Sequence, residues 1–155
     1  MRLAGKVALI SGGSKGMGAA EAKLFAQEGA KVVIGDVLEE EDYQTESEIN
    51  ESGGECVFLR LDVTQEAKWA SAEEPVVQRF GKLDILVNNA GIVARGTLED
   101  TTSAEWDRVM DVNAKAVFLG TKAAIAEMRQ TGGSIINISS MSGSVGQDYI
   151  QPVYN

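Results

Sequence analysis

Short apolar runs alternate along the chain with polar segments of helical length. The first run, Lys6-Val7-Ala8-Leu9-Ile10, is apolar from Val7 onward, as suits a strand covered on both faces. A helix is predicted after Gly16, with Met17, Ala20 and Leu24 as its apolar stripe and a stop near Gly29. The second strand is Lys31 to Gly35, ending at Asp36; a polar, acidic helix follows from Leu38 to Glu51. The third strand, Cys56 to Leu59, runs out at Asp62 and Val63. Thr64 reads as the N-cap of a helix reaching Phe80, with Gly81 as its stop and Pro75 as a kink point. The fourth strand, Leu83 to Val87, leads into Asn88-Asn89-Ala90-Gly91. One long helix is expected from Ser103 to Gln130, then a fifth strand from Ser134 to Ile138.

Strands alternating with helices imply a parallel sheet with helices on both faces and right-handed crossovers. The fold class expected is α/β, a doubly wound parallel sheet in the order 3-2-1-4-5. All 155 residues form one dinucleotide-binding domain, with no linker or low-complexity segment.

Composition narrows the chemistry. The formal charge is −9, which argues against nucleic acid or an anionic membrane as partner. Glu39-Glu40-Glu41-Asp42 reads as a solvated helix face. There is one cysteine, Cys56, expected in the core, and no histidine. An intrachain disulfide, a cysteine metal cluster, the common zinc sites and a Ser-His-Asp triad are therefore excluded. No signal-peptide pattern and no apolar run of bilayer length is read, so a reduced cytoplasmic setting is expected.

Ligands of doubly wound sheets bind outside the carboxyl ends of the strands. The unusual residues of this chain fall at those ends. Ser11-Gly12-Gly13-Ser14-Lys15-Gly16-Met17-Gly18 joins the first strand to the first helix. Its glycines permit positive φ and let backbone approach a pyrophosphate at the helix N-terminus. Their spacing is Gly-x-x-x-Gly-x-Gly, and no Gly-Lys-Ser/Thr follows to make a Walker loop. Asp36 stands where a carboxylate accepts both ribose hydroxyls of an adenosine and repels a 2′-phosphate. That favours NAD over NADP, whereas Lys15, able to contact a phosphate, pulls the other way. Asp62 and Val63 are placed to flank an adenine ring, with a turn aspartate as the alternative for Asp62. The small residues of Asn89-Ala90-Gly91 let a cofactor lie close, and asparagine amides can tie neighbouring strands together.

Together these residues resemble the short-chain dehydrogenase/reductase family over essentially the whole chain. The glycine turn matches the family's Thr-Gly-x-x-x-Gly-x-Gly, with Ser11 in place of threonine. Asn88-Asn89-Ala90-Gly91 matches its Asn-Asn-Ala-Gly, Asn113 the asparagine of its long helix, and Ile136-Asn137-Ile138-Ser139-Ser140 the strand carrying its catalytic serine. The likeness is strongest to bacterial enzymes acting on alicyclic, steroid or sugar alcohols. It implies a Rossmann sheet and an NAD-dependent oxidoreductase interconverting a secondary alcohol and a ketone. The implied catalytic set is Asn113, Ser140 and Tyr154, and the implied cofactor contacts are Gly12, Ser14, Lys15, Gly16, Met17, Gly18, Asp36, Val37, Asp62, Val63, Asn89, Ala90 and Gly91. Ser139 is expected to point away from Ser140. Tyr149 lies too close to Ser140 and is read as a loop residue.

An isolated tyrosine titrates near ~10 and needs positive charge nearby to act as a base at neutral pH. The family supplies that charge from a lysine four positions after the tyrosine. Here that position falls beyond Asn155. The chain therefore reads as the N-terminal part of such an enzyme, inactive by itself, with an exposed apolar fifth strand. A homo-oligomer built largely on the long helix is expected of the complete protein. The rival reading is a non-catalytic dinucleotide-binding fragment. A nucleotide-sugar epimerase fits the glycine spacing less well, and a methyltransferase leaves Asn-Asn-Ala-Gly and Ser-Ser without a role.

Overall fold

The computed structural model describes residues 1–145, 153 and 154. Tyr149 lies outside the described residues. The elements are β1 (Val7–Ser11), α1 (Gly16–Gln27), β2 (Lys31–Asp36), α2 (Glu39–Glu51), β3 (Glu55–Arg60), α3 (Glu66–Phe80), β4 (Ile85–Asn88), α4 (Ser103–Met110), a π-helical turn (Asp111–Lys115), α5 (Ala116–Met128) and β5 (Ser134–Asn137). All pairings are parallel and the order is β3-β2-β1-β4-β5, as expected. Leu9 is in register with both Val33 and Leu86.

Alternation along the central strands feeds two cores. Ala8, Ile10, Val32, Ile34, Ile85 and Val87 pack with Ala22 and Ala26 of α1 and Ile49 of α2. Val7, Leu9, Val33 and Leu86 face the other way, onto Trp69, Leu119 and Met128 of α3 and α5. Every residue of β1 is buried, which explains its unbroken apolar run. Cys56 is buried in the first of these cores, as expected. β5 forms one edge of the sheet and is largely exposed. No helix among the described residues is long and apolar enough to cross a membrane.

Three expectations need correction. The buried face of α1 is Gly18, Ala19, Ala22 and Ala26, while Met17, Ala20 and Leu24 are exposed. Size decided this rather than hydrophobicity: small side chains let α1 sit close against β1 and β2. Thr64 is not the N-cap of α3; Gln65 is, without a side-chain cap bond. Asp62 has taken the Thr64 hydroxyl as its own hydrogen-bond donor. Gly81 does close α3 in the left-handed conformation, and the helix continues through Pro75. The long helix runs from Ser103 to Met128 without a gap, but it is not α-helical throughout. It starts with a capping box between Thr102 and Glu105 and passes through the π-turn at 111–115.

Candidate active site

The glycine turn is fixed from beneath by the chain that follows β4. Ser11 Oγ donates to the Val87 carbonyl at 3.3 Å and accepts the N–H groups of Asn89 at 3.1 Å and Ala90 at 3.2 Å. Asn89 Nδ2 donates to the carbonyls of Ser11 and Gly12, each at 3.0 Å. Ser11 and Asn89 thus hold each other's backbone across two neighbouring strand ends. A hydroxyl is required at position 11, and serine supplies it as well as threonine. Gly12 has φ +68°, and a Cβ there would stand 2.8 Å from Ala90 Cα. Gly18 is equally constrained, since a Cβ would collide with the Gly12 carbonyl and the Asn89 amide. Gly16, at φ +59°, faces open space and owes its identity to conformation alone.

Asp36, at the end of β2, is held at both oxygens. Oδ2 accepts the Ser14 hydroxyl at 2.6 Å and the Ser14 N–H at 3.3 Å; Oδ1 accepts the Val37 N–H at 2.7 Å. A carboxylate offers about four lone-pair sites and three are filled here, so capacity remains for one ligand hydroxyl. Asp62 is a turn aspartate that also faces the cleft. Its oxygens accept Thr64 Oγ1 at 2.7 Å, the Thr64 N–H at 3.0 Å and Gln65 Nε2 at 2.6 Å. The Thr64 hydroxyl leads in holding the Asp62 carboxyl below the usual carboxylate range, and burial opposes it. A depressed native pKa contributes stability that is complete above the unfolded value and lost as pH falls through the native one. Thr64→Val is expected to raise the Asp62 pKa toward the ordinary range, to lower stability at neutral pH, and to flatten Asp62's share of the loss of stability in acid. Carboxyl-selective NMR titration checks this, and an unchanged Asp62 titration contradicts it.

These strand ends border a cleft of about 540 Å³, lined by Gly12, Lys15, Met17, Asp36, Val37, Asp62, Val63, Asn89, Ala90 and Gly91 among others. A second cleft of about 300 Å³ shares Met17, Asn89, Ala90, Gly91 and Ile92 with it, so the two form one groove. At its far end stand Asn113, Ser139, Ser140 and Tyr154. The groove thus runs from Asp36 across the glycine turn to the residues expected to be catalytic. Ser14, Gly16 and Gly18 do not line it. Ser14 is buried behind Asp36, Gly16 borders a shallow groove between α1 and α2, and Gly18 is buried under the turn.

The far end of the groove is assembled from three segments. Asn113 lies in the π-turn, where one extra residue per turn re-aims side chains. Its Oδ1 accepts the Ile92 N–H at 2.9 Å and its Nδ2 donates to the Ile92 carbonyl at 2.8 Å. Both ends of the amide are therefore engaged by the loop after β4, with one donor and one lone pair left over. Ser140 follows β5 and caps a short 3₁₀ turn at 141–143, its Oγ accepting the Ser142 N–H at 3.2 Å. Ser139 lines the same cleft, contrary to the expected alternation. The strand has already ended at Asn137, so the period of two no longer applies. Tyr154 is anchored by its neighbour: Val153 is buried with Ala94 and Val109, and Ile92 packs against them. Beneath the site, Asn88 Nδ2 ties β4 to β5 through Asn137 Oδ1 at 2.9 Å and reaches Thr121 of α5.

A parallel sheet in this order, with a glycine turn after the first strand and an acidic residue closing the second, defines a protein of the doubly wound class, whose ligands bind at the carboxyl ends of the strands. Comparison with known proteins narrows the class. The short chain dehydrogenase family model matches residues 6–155, and the chain belongs to that family. It is 53% identical over 143 residues to a 2,5-dichloro-2,5-cyclohexadiene-1,4-diol dehydrogenase of Sphingobium indicum, covering 92% of this chain and 57% of that protein. It is 49% identical over 146 residues to a 3-alpha-(or 20-beta)-hydroxysteroid dehydrogenase of Mycobacterium tuberculosis, covering 94% of this chain and 55% of that protein. It is 44% identical, also over 146 residues, to a cyclopentanol dehydrogenase of Comamonas testosteroni, covering 94% of this chain and 58% of that protein. The crystal structure of a short-chain type dehydrogenase/reductase from Mycobacterium marinum superposes with a TM-score of 0.94 at 35% identity, covering 98% of this chain and 63% of that one. The chain spans little more than half the length of the curated relatives it matches.

Proposed function

We propose that the chain is the dinucleotide-binding and proton-transfer part of an NAD-dependent oxidoreductase that interconverts a secondary alcohol and a ketone. The observation that carries this reading is the single groove joining Asp36 to Ser140 and Tyr154. The glycine turn fits a pyrophosphate: Gly12 and Gly16 are at positive φ, and the first turn of α1 points backbone N–H groups along the helix axis. Gly12, Lys15, Met17 and Gly18 shape that cradle, with Ser14 and Gly16 supporting it. Asp36 and Val37 take the adenosine ribose. Asp62 and Val63 flank the adenine, and Asn89, Ala90 and Gly91 line the path to the reactive end. When bound, the nicotinamide supplies the hydride donor or acceptor.

The chain's own residues handle the substrate oxygen. Ser140 Oγ holds it by a hydrogen bond, and Tyr154 Oη exchanges a proton with it. Asn113 holds Ile92, and with it the wall between the two clefts. The named activities of the three relatives, all alcohol oxidations on ring compounds, support a cyclic secondary alcohol as the substrate class. Trp106, Met110, Phe118 and Ile125 are large, apolar and exposed along α4 and α5, which supports a homo-oligomer of the complete protein.

Fluorescence titration of the purified chain with NADH and NADPH tests the cofactor assignment. Saturable binding that favours NADH is expected, and preference for NADPH would move the assignment from Asp36 to Lys15. Asp36→Ala is expected to weaken NADH binding by about tenfold or more, the scale of a charge-assisted hydrogen bond to a ribose hydroxyl. NADPH binding should be unchanged or tighter, because the carboxylate that repels its 2′-phosphate is gone.

A further inference from the structure

Helix α2 is polar and largely exposed, yet it buries one hydroxyl. Thr45 is 4% exposed, one turn before the buried Ile49. Its Oγ1 donates at 2.8 Å to the carbonyl of Ser14, which is itself 3% exposed. Ser14 in turn donates its hydroxyl and its N–H to Asp36 Oδ2. Three elements are thereby connected in series: a helix on the face of the sheet, the glycine turn and the end of β2.

We propose that Thr45 and Ser14 are positioning residues for dinucleotide choice, setting the orientation of the Asp36 carboxylate that meets the adenosine ribose. This rests on the reading of Asp36 as the ribose acceptor. With Oδ1 fixed by the Val37 N–H and Oδ2 by Ser14, rotation of the carboxylate about χ2 is blocked from both sides. A carboxylate so fixed presents its remaining lone pair in one direction and loses no rotamer freedom on binding. Thr45 lines neither lobe of the main groove. It acts by holding the Ser14 carbonyl, which keeps the Ser14 hydroxyl over Asp36. Without the Thr45 hydroxyl that carbonyl is buried without this donor, the turn relaxes, and the carboxylate is free to turn away.

The discriminating quantity is the ratio of the two cofactor affinities, since general damage to the turn weakens both alike. NADH and NADPH are titrated into the 155-residue chain and into its Thr45→Val, Thr45→Ser, Ser14→Ala and Asp36→Ala variants, with cooperative thermal melting required of each. Thr45→Val and Ser14→Ala are expected to lower the preference for NADH by about tenfold, the scale of one hydrogen bond to a charged group. Thr45→Ser, which keeps the hydroxyl, retains the preference. Should Thr45→Val not melt cooperatively, Ser14→Ala decides. A preference lost in Asp36→Ala but kept in Ser14→Ala and Thr45→Val overturns the relay alone, as does an equal loss for both dinucleotides. A wild-type chain without preference for NADH overturns the reading of Asp36 and the relay with it.

Discussion

Tyr154→Phe is expected to reduce turnover of an enzyme containing this chain by about 10²–10⁴-fold, the usual range for losing a positioned general acid or base. The change removes one oxygen and keeps the ring. Val153, the residue that seats the segment, is untouched in its contact with Ala94 and Val109, so the geometry of the cleft should persist. NADH affinity should be unchanged, because Tyr154 lines only the far lobe of the groove. Steady-state oxidation of a cyclic secondary alcohol, paired with NADH titration, separates the two effects. Turnover within a few-fold of wild type would remove Tyr154 from proton transfer. A parallel loss of NADH binding would show that its role is structural.

The largest effect on stability is expected at Trp69. Its side chain is 1% exposed, and its Nε1 donates to the Val63 carbonyl at 2.9 Å. Gly120 of α5 makes room for it: a Cβ there would lie 2.7 Å from Trp69 Cη2. Trp69→Ala should cost about 3–5 kcal/mol, combining lost burial with a cavity that the rigid sheet cannot close. Trp69→Phe keeps most of the volume but leaves the Val63 carbonyl without its donor, a cost of about 1–3 kcal/mol. Thermal or denaturant unfolding of the two variants gives both numbers. A cost under about 1 kcal/mol for Trp69→Ala would mean that α3 and α5 do not close over this side chain. Val63 borders the proposed adenine position, so the alanine variant should also bind NADH more weakly.

What the sequence made legible follows from what periodicity and punctuation can encode. The sheet order was readable because each strand is a short apolar run and each crossover is of helical length. Asp36 was readable because it closes a strand at the right distance from the glycine turn. That asparagine amides tie neighbouring strands was readable too, but the role of the Ser11 hydroxyl was not, since it depends on two strand ends, far apart in sequence, being adjacent in the sheet. Thr45 carries no local signal either: it is one hydroxyl in a run of polar residues, and only the packing of α2 reveals that it is buried. The face of α1 was misread because hydrophobicity ranks Leu24 above Ala22, whereas close packing on a sheet selects the smaller residue. Thr64 does not cap α3 because its hydroxyl donates to Asp62 in the turn before the helix, which leaves Gln65 as an N-cap without a side-chain bond.

The π-turn at 111–115 also sets the phase of everything after it. In an unbroken α-helix, residues 110 and 118 would lie roughly 80° apart around the axis, at about 100° per residue. One residue absorbed by the wider turn closes that angle to about 20°. Trp106, Met110, Phe118 and Ile125 then fall into a single line along α4 and α5. The same inserted residue that brings Asn113 to Ile92 therefore aligns an apolar seam on the outside of the helix pair. Deleting it would trade one for the other: a straight helix could keep its inner amide clamp or its outer seam in place, but not both.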